Sequence, residues 1–118
     1  QQMTADLESE IQSHKGISLL CKEVNLNAAG MKDALFQIGK TRKDLVAILG
    51  SKKDDKPILY CYVSKELVDQ GTYKANTIIK EIGQYIKGGG GGQPFFATAG
   101  GKHPAGLSDA LQAAKDLL

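Results

Sequence analysis

No apolar run in the 118-residue sequence approaches the ~18 residues of a membrane span, and no signal-peptide pattern opens it. Cysteine and histidine are scarce. Cys21 and Cys61 stand forty residues apart with His14 and His103 for company, and this makes no zinc-ligand spacing. Both cysteines lie in apolar, strand-like runs, so buried reduced thiols of a cytosolic protein are favoured over a disulfide. Arginine is scarcer still: fourteen of the fifteen basic residues are lysine, and Arg42 alone has the planar fork that reads base edges. A bound nucleic acid would therefore be held through backbone and shape more than through sequence. Nucleophile–base pairs are missing too, since the acids lie on expected surfaces or in turns and form no HExxH or DxD arrangement. The expectation is a chain with no catalytic residue and no metal ligand.

What is present fits one soluble globular domain, with 42% hydrophobic and 24% charged residues. The sequence opens on Gln1-Gln2 instead of Met, which predicts a processed chain or a piece of a longer one. Net charge is +2 but uneven. Residues 1–13 hold Asp6, Glu8 and Glu10 and no Lys or Arg, leaving 15 basic against 10 acidic side chains, or +5, over residues 14–118. That balance suits a polyanion partner without demanding one.

Met3, Leu7 and Ile11 recur four apart among polar residues, which predicts the tail of a longer amphipathic or coiled-coil helix over residues 1–13. Strands are expected at ISLLCKEV (17–24), DLVAIL (44–49) and ILYCYV (58–63), the last two forming a hairpin across a polar turn. Asn27 is the expected N-cap of a helix with Met31, Leu35 and Ile38 on one face. A longer helix should run from about Tyr73 to Lys87 with Ala75, Ile78, Ile79, Ile82 and Ile86 on one face. After a short strand at 94–99, Pro104 opens a last helix carrying Leu107, Ala110, Leu111, Ala114, Leu117 and Leu118. The order predicts an α/β fold, a mixed β-sheet flanked by helices and preceded by the end of a connector helix. Residues 1–13 would be the connector and 14–118 the globular domain.

Gly39-Lys40-Thr41 resembles the end of a Walker A loop, but the required earlier glycine is Ala34 and the tripeptide follows a helix. A helix C-terminus with solvated Lys40, Arg42 and Lys43 is the better account. Tyr60 and Tyr62 share one strand face, where packing is favoured over base stacking. Phe95 and Phe96 point oppositely, one toward the core and the other outward.

The stretch KGGGGGQPFFATAGGKHP (87–104) needs more explanation. Each ordered glycine costs ~0.5–1 kcal/mol relative to alanine, so five fixed together cost about 3–5 kcal/mol. Such a run is useful where φ must be positive or where backbone approaches a ligand, and successive N–H groups then form an anion nest. Lys80 and Lys87, seven apart on the preceding helix, are expected to flank it. A disordered or tight-packing loop is the alternative.

The segment IIKEIGQYIKGGGGGQPFFATAGGKHPAGLSDALQ resembles the C-terminal domain of alanyl-tRNA synthetases, the DHH-associated type. KDLVAILGS and ILYCYVSKEL fit upstream in order, so the resemblance covers nearly the whole chain. It implies a non-catalytic module that holds the outer corner of alanine-specific tRNA and helps bring aminoacylation and editing centres onto one tRNA. The tRNA-binding residues so implied are Lys80, Lys87, Gly88, Gly89, Gly90, Gly91, Gly92, Gln93, Phe95, Gly100, Gly101 and Lys102. The fragment would carry no cofactor, while ATP, Mg and Zn would serve upstream domains of the parent enzyme. Its partners would be tRNA, those same-chain aminoacylation and editing domains, and a second copy in a homodimer, in the cytoplasm and without a membrane.

Three positions depart from the family pattern. Gln93 stands where Arg often follows the glycines, Phe95 where an acid is common, and His103 where Asp is frequent. Related domains of DHH phosphoesterases tend to end the run with His, so Gln93 favours the synthetase over an accessory domain of that class. The remaining alternative is an oligomerisation module, motivated by the Met3-Leu7-Ile11 stripe and an outward Phe.

Overall fold

In the computed structural model, which describes residues 11–14, 16–24, 28–40, 42–52, 56–71 and 73–117, six strands form one mixed sheet. Across the sheet they lie in the order β1 (Gln12–His14), β2 (Ile17–Glu23), β3 (Leu45–Ser51), β4 (Ile58–Val63), β6 (Phe96–Gly100) and β5 (Gly89–Gln93). β2 and β3 run parallel, and every other neighbouring pair is antiparallel. A parallel pair needs a crossover, and α1 (Ala28–Gly39) supplies it.

The run LVAILGS is buried along its whole length, as a central strand covered on both faces requires. On one face Leu20, Leu45, Ala47 and Leu49 pack with Met31, Ala34, Leu35 and Ile38 of α1. On the other, Leu19, Val46, Ile48, Leu59, Cys61, Ala97 and Ala99 meet α3 (Ala75–Gly83) and α4 (Leu107–Leu117). The stripe Ala75, Ile78, Ile79 and Ile82 of α3 continues to Ile86 in a 3-10 turn (Gln84–Ile86), all of it buried. In α4, Leu107, Ala110, Leu111 and Ala114 are buried, after a 3-10 turn at Pro104–Gly106. Ser64 ties β4 back to the start of β3. Its buried hydroxyl accepts from the Leu45 N–H and donates to the Arg42 carbonyl, both at 3.0 Å.

The α/β class and the β3–β4 hairpin agree with the sequence reading, and α1 ends at Gly39 in a turn, not in a phosphate loop. Four elements differ, the first being β1, a strand at Gln12–His14 where the tail of a helix was expected. The helix expected to reach Lys87 makes α-turns only to Gly83 and finishes in the 3-10 turn Gln84–Ile86, which ends where Lys87 takes a left-handed conformation at φ 56°. The glycine run is a strand. A short helix, α2 (Lys65–Gln70), follows β4 and was not expected. Residues 1–10 of the expected connector lie outside the described residues, as do Asn27 and Leu118, while Gln12 and Ser13 pair with β2.

The two thiols cannot bond to each other. Cys21 of β2 and Cys61 of β4 both stand opposite Ile48 of β3. Their Cα atoms are therefore two strand spacings apart, about 9–10 Å, beyond the ~7 Å reach of a disulfide. Burial pushes the Cys21 thiol up to about 11 against the opposing pull of Lys115, and its Sγ donates to the Leu111 carbonyl at 3.1 Å. Complete burial, with Cys21 second, raises Cys61 as well.

Candidate nucleic-acid interface

The approach to the glycines is fixed by hydrogen bonds. The Lys87 N–H donates to the Gln84 carbonyl at 3.1 Å and the Gly88 N–H to the Gly83 carbonyl at 3.2 Å. This is the pairing of a Schellman helix end, with Lys87 at the left-handed position usually given to glycine. The amides that an anion nest would aim outward are thus consumed inside the turn. Beyond them Gly89–Gln93 is extended, and successive amides of a strand point to opposite sides. The expected nest does not form. The expected flanking pair does not form on one α-helix face either, since the last turn before Lys87 is 3-10 and Lys87 itself is left-handed.

The glycines of residues 88–92 divide by parity. A Cβ on Gly88, Gly90 or Gly92 would strike backbone of β6: the Gly100 carbonyl, the Thr98 carbonyl with Ala99, and the Phe96 carbonyl with Ala97. Gly92 also has φ 149°. These three are glycine because two strands lie too close for anything larger. A Cβ on Gly89 or Gly91 would meet nothing within 4 Å, and one on Gly100 would reach only Ile58, at 4.0 Å. Relative to alanine these three cost about 1.5–3 kcal/mol, at places where packing makes no demand for glycine.

Register places the undemanded glycines together. Gly89 pairs with Gly100 and Gly100 with Ile58; Gly91 pairs with Thr98 and Thr98 with Tyr60; Gln93 pairs with Phe96 and Phe96 with Tyr62. Cross-strand partners share a face, and this is the α1 face of the sheet. Phe36 of α1 packs on the last row, with ring centroids 5.7 Å from Tyr62 and 5.0 Å from Phe96, and Tyr60 joins Phe96 at 5.7 Å. Tyr60 and Tyr62 therefore serve packing, as expected, and the Tyr62 ring fills the place where Gly39 would carry a Cβ. Burial, with Glu66 second, raises the Tyr62 hydroxyl above its usual range. Gly89 and Gly100 remain exposed, with Gly91 and Thr98 half-exposed.

Three lysines stand at one end of these rows. Lys87 lies two residues before Gly89, Lys102 two after Gly100 and Lys56 two before Ile58, all exposed. Backbone bonds hold them there: the Gly101 N–H donates to the Pro57 carbonyl at 3.0 Å, and the Lys102 and His103 N–H groups share the Ile86 carbonyl at 2.9 and 3.0 Å. Gly101 is glycine because a Cβ would strike that same Ile86 carbonyl. The structure thus brings Lys87, the glycines, Gly100, Gly101 and Lys102 together and adds Lys56, which pattern reading missed because strand register alone delivers it. It does not bring Lys80, which sits exposed on α3, the helix covering the opposite face. Phe95 is exposed at the β5–β6 turn, the far end of the rows, beside a groove of about 340 Å³ lined with Tyr62, Lys65, Val68 and Asp69. Gln93 is exposed at that end too. Among the described residues no group of three His, Cys, Asp or Glu is placed to hold a metal ion, and no helix is long and apolar enough to cross a membrane.

Comparison with known proteins agrees on family. The DHHA1 domain model matches residues 16–118. An alanine–tRNA ligase from Christiangramia forsetii is 48% identical over 116 residues, 98% of this chain, and one from Flavobacterium psychrophilum is 44% identical over 108 residues. The chain spans 13% and 12% of the length of those relatives. The crystal structure of the C-Ala domain from Aquifex aeolicus alanyl-tRNA synthetase superposes with a TM-score of 0.80 at 27% identity, covering 92% of this chain and 96% of that one.

Proposed function

The chain belongs to the DHHA1 domain family, and from that membership we propose that it is the tRNA-binding C-terminal domain of an alanine–tRNA ligase. The convergence of Lys56, Lys87 and Lys102 on bare glycine rows carries the reading. Three strand ends supply cations for phosphates, while backbone without side chains lets a bulky ligand come close. The domain itself is non-catalytic in this proposal. It holds the outer corner of alanine-specific tRNA, so that aminoacylation and editing domains of the same protein act on one tRNA. Those upstream domains would use ATP, Mg and Zn, the residues before β1 would belong to the connector to them, and the work takes place in the cytoplasm.

Fluorescence anisotropy with an alanine-tRNA transcript tests the proposal. Binding should weaken steeply between 50 and 200 mM salt, as lysine–phosphate contacts release counterions. The double variant Lys87→Glu/Lys102→Glu should bind at least about tenfold more weakly, with a shallower salt slope; unchanged affinity would sink the assignment. Lys80→Glu should weaken binding less. The exposed Phe95 beside its apolar groove favours one second reading, an oligomerisation module. A stable dimer without measurable tRNA affinity would decide for it.

A further inference from the structure

We propose that the bare rows of β4, β6 and β5 receive the planar face of an exposed nucleobase, while the lysines at their end hold the adjoining phosphates. The inference rests on the tRNA-binding reading above and assigns the chemistry of one face within it.

The argument starts from Gly89, Gly91 and Gly100, which the fold leaves free to carry a side chain and which lie on one face. A planar ring in van der Waals contact sits about 3.5 Å from the atoms beneath it. A Cβ on any of the three would stand between ring and backbone. Beside Gly91 the row continues through Thr98 to Tyr60, a small side chain and then an aromatic ring, half-exposed both. No residue of the three rows is charged, so the rows themselves offer nothing to hold a phosphate. At the glycine end stand the cations Lys56, Lys87 and Lys102, whereas the far end carries charges of both signs, Lys65 and Asp69. Neutral surface followed by cations is the order in which a nucleotide presents its base and its phosphate. An extended peptide would seek the unpaired edge of β5 instead of its face.

The experiment compares two ligands, an alanine-tRNA transcript and inorganic polyphosphate, which has charge but no base. Gly91→Val is the variant, with thermal melting as the check on folding and Gly91→Ala as the milder second variant. The expected result is a tenfold or greater loss of tRNA affinity in Gly91→Val, a smaller loss in Gly91→Ala, unchanged polyphosphate affinity, and a melting temperature no lower than that of the unaltered chain. Lys87→Glu/Lys102→Glu should weaken both ligands. Equal loss for both ligands in Gly91→Val would overturn the assignment to a base, since the face would then act on phosphates. Unchanged tRNA affinity in both Gly91 variants would overturn the face while leaving the tRNA-binding reading intact. Loss of a dimer in sedimentation, with tRNA affinity kept, would give the face to a second copy. Absence of tRNA binding by the unaltered chain would remove both readings.

Discussion

Lys87 is the residue where local energetics and proposed use oppose each other. A left-handed conformation costs a residue with a Cβ roughly 1–2 kcal/mol, and the Schellman end here would accept glycine without that cost. Holding a lysine in this place stores strain at a residue aimed at solvent beside the candidate interface. Lys87→Gly should therefore raise stability by about 1 kcal/mol in urea denaturation and lower tRNA affinity in the same protein. Single residues were legible unevenly. That one of Phe95 and Phe96 would point outward was legible, but which one was not: Phe95 is the exposed ring because it sits in the β5–β6 turn, while Phe96 packs on Phe36. Gly39 read correctly as a helix end, but its contact with the Tyr62 ring needed the third dimension.

Among the elements, α3 was legible because isoleucine at helical spacing has no other explanation, and β3 because an unbroken apolar run must be covered twice. β5 was not. Secondary structure is read from side-chain periodicity, and four glycines followed by Gln93 have none to read. α2, with six residues, is too short to show a period. The strand nonetheless has a hidden alternation that substitution should expose. Gly90→Ala should destabilise by roughly 1–3 kcal/mol, because its Cβ meets the Thr98 carbonyl and Ala99. Its neighbour Gly89→Ala should change sign and stabilise by about 0.4–1 kcal/mol, by restricting the unfolded chain. Urea midpoints of the two variants check this; equal shifts would mean that the strand lies differently.

For the whole molecule, the sequence showed a basic mixed α/β domain but could not show which lysines meet. Lys80 and Lys87 were joined by spacing along one helix, whereas Lys56, Lys87 and Lys102 are joined by the register of three strands from distant segments. The same register separates the cysteines across β3. Their burial has a consequence for the entire fold. The folded chain binds the Cys21 proton more tightly than the unfolded chain does, with values of about 11 against 9.0. Stability from this group is thus complete below pH 9 and is lost as pH rises from there toward 11. Denaturation midpoints should fall across that window, and more steeply than in Cys21→Ser. Alkylation at pH 8 should be slow for both thiols until denaturant is added.

The parity of β5 also bears on how such a surface changes over generations. A contact made by main-chain atoms has no smaller version of itself, so mutation at Gly89, Gly91 or Gly100 can only add bulk and never trim it. Drift on this face is one-directional. Adjustment to a new ligand has to come from the periphery, where Gln93, Phe95 and the lysines offer side chains that can be exchanged in either direction.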